Sequence, residues 1–158
     1  MTIDESDEFW KGTEFPDVVA YLVALEPGGY QIDRVIEARC ECGGTSFHVN
    51  VDRDDELAQT QCVHCGAKTF VADSEDHWDA SVIERQTCPC GGQVFEVGLG
   101  LCIREDKVDG DWVRWGSVGS RCLACGILAS AIDWKSDLAL TNERAKCVAR
   151  RGIEHIAR

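Results

Sequence analysis

The sequence predicts a small α+β fold that is mainly β, in which two duplicated β-hairpin units pack as one compact unit with a helix flanking them at each end. Three observations predict it. The pattern C-x-C-G-G-x-x-F-x-V occurs at 40–49 and again, 48 positions later, at 88–97. Each copy closes on C-x-x-C-G, at Cys62–Gly66 and at Cys122–Gly126. Between the cysteine pairs, apolar residues alternate with others at the two-residue period of a strand.

The self-similarity reads as duplication of one structural unit, and such units often complete one another's core. Val35-Ile36-Glu37 precedes the first C-x-C and Val82-Ile83-Glu84 the second, and an aspartate, Asp73 or Asp133, stands eight residues past each closing cysteine. At 158 residues the chain has room for one domain, or for two very small ones sharing a core. Its 44% hydrophobic and 28% charged content is that of a folded globular chain.

Taken in order, residues 1–30 form an acidic segment with a helix over Glu14–Leu25, where Pro16 suits the first turn and Pro27-Gly28-Gly29 ends it. Residues 31–79 hold the first unit, with Phe47, Val49 and Val51 on one strand face. Residues 80–135 hold the second, where Phe95, Val97, Leu99, Leu101 and Ile103 share a face, Asp109-Gly110 supplies a turn and Trp112–Arg121 returns as a strand. The second hairpin is the longer: 31 residues separate Cys90 from Cys122, against 19 between Cys42 and Cys62. In the final segment, 136–158, Ala145, Val148, Ala149, Ile153 and Ile156 fall on one helical face and Arg144, Arg150, Arg151 and Glu154 on the other, which predicts an amphipathic basic helix over Asn142–Ile156.

The longest apolar run, Val18–Leu25, has eight residues, against the roughly 20 that a membrane-spanning helix needs. The opening decapeptide MTIDESDEFW is acidic where an export signal carries positive charge and then an apolar stretch, so the expectation is a cytoplasmic protein with no membrane partner. Thiols stay reduced in that compartment, which points the ten cysteines toward metal rather than disulfides.

Two closely spaced thiolates on each of two tight turns can surround one tetrahedral ion from adjacent hairpin ends. The expected ligands are therefore Cys40, Cys42, Cys62 and Cys65 at one site, and Cys88, Cys90, Cys122 and Cys125 at the other. Gly43, Gly66, Gly91 and Gly126 follow the pairs, where the turn needs positive φ or an open approach to the sulfurs. Over residues 35–73 and 82–133 the chain resembles the zinc-ribbon group, although C-x-C departs from the commoner C-x-x-C. The resemblance implies a small β-fold around each ion and is silent on function, since that group serves many roles. Two structural Zn2+ ions are the expected cofactors; four-thiolate ligation of iron is chemically open as well.

Competing readings of the cysteines fare poorly. A thioredoxin-like pair belongs at the start of a helix in a βαβ setting, whereas strands surround these. A zinc deaminase needs H-x-E, and His48-Val49-Asn50 lacks the glutamate. All-thiolate sites leave no coordination position for water or substrate, so the metal is expected to be structural and no catalytic residue is assigned. Cys102 reads as core packing, His64 as a turn residue inside a knuckle, and Cys147 as a thiol that another element covers, or else one that Arg144, Arg150 and Arg151 would activate.

The formal charge of −12 argues against nucleic acid as a default partner. The expectation is a non-catalytic interaction module whose acidic surface binds a basic protein, with an immunity-protein or antitoxin type of inhibitor as its specific form. Trp112 and Trp115, three apart in a strand, would face opposite sides, one of them free to anchor a partner. The acidic runs, through Asp52, Asp54, Asp55 and Glu56 and through Asp73, Glu75 and Asp76, would supply the charge. The alternatives are a nucleic-acid-associated ribbon using the basic last helix, and an enzyme accessory subunit.

Overall fold

The computed structural model describes residues 3–104 and 112–157. One α-helix, α1 (Phe15–Leu25), precedes nine strands: β1 (Arg34–Arg39), β2 (Phe47–Asp52), β3 (Leu57–Cys62), β4 (Lys68–Phe70), β5 (Glu84–Arg85), β6 (Phe95–Arg104), β7 (Trp112–Cys122), β8 (Leu128–Lys135) and β9 (Arg151–Ile156). All belong to a single antiparallel sheet in the order β4-β3-β2-β6-β1-β9, with β7 added on β6, β8 on β7 and β5 on β2. The fold is thus mainly β, as its sequence predicts, and the second hairpin is the longer. The turn expected at Asp109-Gly110 lies outside the described residues.

The duplication shows in how the two units pair. The strand leading into the first C-x-C, β1, does not join its own hairpin: Ile36 stands opposite Leu99 and Glu37 opposite Gly98 of β6. The equivalent strand of the second unit, β5, returns the exchange, with Arg85 opposite Asn50 and Glu84 opposite Val51 of β2. Where the hairpins meet, Phe47 pairs with its own counterpart Phe95. A residue that pairs antiparallel with its equivalent sits on a local two-fold axis, and both rings are buried there. Each unit therefore lends its first strand to the other, so neither completes its sheet alone.

α1 begins on a buried carboxylate: Asp17 Oδ2 accepts the N–H groups of Thr13 at 2.8 Å and Glu14 at 3.3 Å, which satisfies donors that the helix leaves open. It ends where Glu26 turns left-handed, at φ 46°, before Pro27. Phe15, Val18 and Leu22 form its buried side. They rest on a face of β6 and β7 stripped to glycine, where a Cβ on Gly119 would lie 2.8 Å from Leu22 Cδ1 and one on Gly98 3.0 Å from Phe15 Cζ. The alternation read along β6 is real, yet both faces are covered: Leu99 and Leu101 on one side join the larger core, while Gly98 and Gly100 on the other admit the helix. Cys102 is buried, as expected.

The last segment departs from expectation. In place of a helix over Asn142–Ile156 there is one 3-10 turn, Glu143–Lys146, then a bend through residues 148–150 into β9, which runs antiparallel to β1 with Arg151 opposite Arg39 and Ile156 opposite Arg34. Ala145, Val148 and Ala149 are buried, but through a connection that threads the core, its Val148 carbonyl accepting from Thr60 Oγ1 at 2.7 Å. Ile153 and Ile156, assigned to the same helical face, are exposed. The free edge of β1 decides the outcome, because pairing with it satisfies a row of backbone groups that a helix here would leave open. Gly152 fits this role, since a Cβ there would lie 2.5 Å from Ile36 Cγ2.

Filling the glycine stripe should unseat α1. Gly119→Val is expected to lower stability by about 1–3 kcal/mol in denaturant unfolding of the metal-loaded protein; an unchanged midpoint would show that the helix does not depend on that approach.

Candidate metal centres

Each tetrad is assembled from two turns at one end of a hairpin. Cys40 and Cys42 lie in the turn between β1 and β2, while Cys62 ends β3 and Cys65 follows it; Cys88, Cys90, Cys122 and Cys125 repeat this around β6 and β7. The backbone is the same in both copies. Gly43 N–H donates to the Cys40 carbonyl at 2.9 Å and Gly91 N–H to that of Cys88 at 2.7 Å; Gly66 N–H reaches the Cys62 carbonyl at 2.9 Å and Gly126 N–H that of Cys122 at 2.8 Å. The four glycines have φ between 76° and 92°, the left-handed region that the sequence reading required of them.

The four sulfurs of each tetrad lie within 4.8 Å of one another. Cys40 and Cys65 are 3.4 Å apart and Cys42 and Cys62 3.6 Å; Cys88 and Cys125 are 3.5 Å apart and Cys90 and Cys122 3.7 Å. A disulfide would need about 2.05 Å. A tetrahedron with metal–sulfur bonds of about 2.3 Å has edges near 3.8 Å, so the donor set fits one ion per tetrad in both chemistry and spacing. The arrangement is compatible with zinc-ribbon-like units.

The thiols differ in their hold on protons. Burial resists ionisation of Cys62, but the N–H groups of Cys65 and His64, with the sulfurs of Cys42 and Cys40, bring it down to about 7. Cys90 also lies at about 7, favoured first by the Gly92 N–H. The Cys42 N–H favours ionised Cys40, yet burial and the neighbouring sulfurs push that thiol up to about 12. Burial likewise drives Cys88 upward. A divalent cation held by the tetrad would remove the conflict by favouring all four as thiolates, so that loading would be coupled to proton release. With four thiolates bound, no position is left for a substrate.

Among the other residues singled out, Trp112 and Trp115 do not face opposite sides. A bulge shifts the register so that Trp115 stands opposite Cys102, Val113 opposite Ile103 and Trp112 opposite Arg104. Cross-strand partners share a face, which places both tryptophans on that of Cys102 and Arg104. Trp115 is occupied there: its ring stacks on Tyr30 with centroids 5.0 Å apart, and its Nε1–H donates to Asp133 Oδ2 at 3.0 Å. Trp112 is half-buried at the start of β7.

The acidic runs converge. Asp52 is buried and braces its own turn, its Oδ1 accepting the N–H groups of Asp54 and Asp55 at 3.1 Å each. Asp54, Asp55 and Glu56 are exposed, as are Glu75 and Asp76, with Asp73 half-buried. Ala58 joins the two runs: its N–H donates to Ser74 Oγ at 3.0 Å and its carbonyl accepts from Val71 N–H at 2.9 Å. The spacing of the runs in sequence contains no signal for this contact. Cys147 is half-buried, and burial raises its pKa more than Arg144 lowers it, so it is not the activated thiol that its cationic neighbours suggested.

Replacing the buried ligand Cys122 with serine is expected to remove one of two metal equivalents and, since a structural site contributes on the order of 10 kcal/mol, to abolish cooperative unfolding of the second hairpin. Two equivalents and an intact transition in Cys122→Ser would disprove the ligand assignment. In the loaded protein at pH 7, Cys147 should be alkylated by iodoacetamide more slowly than an unhindered cysteine peptide, because its raised pKa leaves less thiolate; an equal or faster rate would contradict the burial. No protein-family profile, curated protein or solved structure matches the chain.

Proposed function

We propose that the chain is a non-catalytic zinc protein in which two structural Zn2+ ions staple a rigid platform, and that the platform binds a basic protein through its acidic surface. The observation that carries the reading is the convergence at Ala58. Two acidic runs, separate in sequence, meet beside β3 with Asp54, Asp55, Glu56, Glu75 and Asp76 exposed. An acid-rich patch, in which Arg53 and the Arg144 paired with Asp76 offset only part of the charge, speeds encounter of a chain of net charge −12 with an oppositely charged partner and disfavours polyanions. Tetrahedral all-thiolate donors at these spacings suit zinc, and iron equally, over the harder cations that take oxygen ligands.

The nucleic-acid alternative loses its basic helix, since that segment is β9 and its approach. Two of its cations are also drawn into ion pairs, Arg144 with Asp76 at 2.9 Å and Arg150 with Glu41 at 3.8 Å.

The purified protein should carry two zinc ions per chain by elemental analysis. A basic protein retained from nuclease-treated extract by the wild type should be lost, or bind at least about tenfold more weakly, when Asp54, Asp55 and Glu75 are all changed to lysine. Retention of that protein by the charge-reversed variant would overturn the assignment of the surface. Assaying the captured partner's activity with and without the chain then separates an adaptor from an inhibitor of the immunity-protein kind.

A further inference from the structure

Duplication provides an internal comparison, because the two tetrads share a backbone but not their surroundings. The knuckle of the first carries His64 where the second carries Ala124. A Cβ on Gly44 would sit 2.9 Å from Cys62 Sγ, 3.0 Å from His64 Cδ2 and 3.3 Å from Cys42 Sγ. The imidazole edge and the sulfurs of Cys62 and Cys42 thus converge on one point, and Cδ2 is bonded to Nε2, one of the two ring nitrogens that can bind a metal. At the equivalent Gly92 the neighbours are Cys122 Sγ at 2.9 Å, Ala124 Cβ at 3.3 Å and Cys90 Sγ at 3.4 Å, with no donor in the histidine's place.

Cover differs as well. The N-terminal segment lies along the second site, where Gly12 N–H donates to the Gly126 carbonyl at 2.8 Å, Leu128 N–H donates to the Trp10 carbonyl at 2.8 Å, and Lys11 bridges to Ile127. A Cβ on Gly126 would meet Gly12 O at 2.6 Å, whereas one on the corresponding Gly66 would meet nothing within 4 Å. Cys65 is exposed where Cys125 is half-covered. Beside the first tetrad an open recess of about 320 Å³ is lined by Cys42, Gly43, Gly44, His64 and Cys65.

We propose that the first tetrad is the exchangeable one of the two metal sites, and that His64 is its replacement ligand, taking the place of Cys42 when that exposed thiolate is lost or blocked. Cys42 and Cys65 are exposed while Cys40 and Cys62 are buried, so an incoming ligand or thiol reagent reaches the exposed pair first, and of that pair Cys42 is the one beside the histidine edge. Three cysteines and one histidine are as suitable a donor set for a tetrahedral ion as four cysteines. At the second site Cys90 is as exposed as Cys42, but Cys125 is half-covered, Gly126 lies against Gly12, and Ala124 offers no donor where the first site has His64. This reading depends on metal occupying the tetrads and not on the proposed partner.

The test uses the full chain loaded with Zn2+ and challenged with the chelator 4-(2-pyridylazo)resorcinol. One equivalent should leave at least about tenfold faster than the other. N-ethylmaleimide labelling of Cys42 and Cys65, read by peptide mass spectrometry, should accompany the fast phase, and labelling of Cys90 and Cys125 the slow one. Equal release rates, or the reverse order of labelling, would overturn the exchange proposal. With Co2+ as the probe, Cys42→Ser should still bind two ions, one with the weaker charge-transfer band of three sulfurs and one nitrogen, whereas Cys42→Ser/His64→Ala should bind one. Equal Co2+ content in those two variants would remove His64 from the proposal. If Cys42→Ser does not fold, His64→Ala on the intact tetrad decides: after maleimide labelling of Cys42 it should lose the first equivalent faster than wild type, and identical release would exclude the histidine. A chain that takes up no Co2+ would end the metal reading itself, and would leave the acidic patch untouched.

Discussion

Four sulfurs have to converge on one point at each of two corners, and the rest of the chain is arranged so that they can. Each corner needs two tight turns held side by side, and both copies use the same bonds: Cys40 N–H to the Gly44 carbonyl and Cys88 N–H to that of Gly92 close the first turn, while Val63 N–H to the Ser46 carbonyl and Leu123 N–H to that of Val94 join it to the second. A charge cluster of this kind would repel itself as free thiolates and be partly protonated as thiols, with Cys62 near 7 and Cys40 near 12. A tetrahedral cation would resolve that tension, and its binding energy would then belong to folding.

The corners alone do not make a stable chain of this size. The exchange of lead strands supplies the next constraint: β1 completes the sheet of the second hairpin and β5 that of the first, about the two-fold passing between Phe47 and Phe95. Breaking either unit therefore exposes an edge in the other. On one face of the shared sheet, glycines at 98, 100 and 119 let α1 lie close enough for Leu22 and Phe15 to touch backbone. On the opposite face, the valines and leucines of both hairpins merge into one core with the chain from Leu138 to Ala149.

Charge is distributed around this frame with two different uses. Buried acids serve the fold: Asp17 closes the start of α1 and Asp52 the β2–β3 turn. Exposed acids gather where β3 meets the segment after β4, and some cations of the last segment reach across to acids as ion pairs. Exposed pairs of this sort contribute little stability, typically below about 1 kcal/mol, so the surplus of acid at the surface is better understood through encounter than through folding.

By itself the sequence determined the repeat, the eight cysteines of the two tetrads, the glycines that turn around them, α1 and the long second hairpin, because these follow from spacing, period and φ, all of which are local. It did not determine the last segment. Ala145, Val148 and Ala149 match a helical period, but the available edge of β1 lies more than a hundred residues upstream, and only folding brings it within reach of Gly152 and Ile153. The same holds for the shared face of Trp112 and Trp115, which depends on a bulge against Cys102 and Ile103, and for the meeting of two acidic runs through Ala58. His64 was visible as a knuckle residue, yet its place beside Cys42 and Cys62, and the cover that Gly12 gives the other site, are set by long-range backbone pairing, which composition and periodicity do not encode.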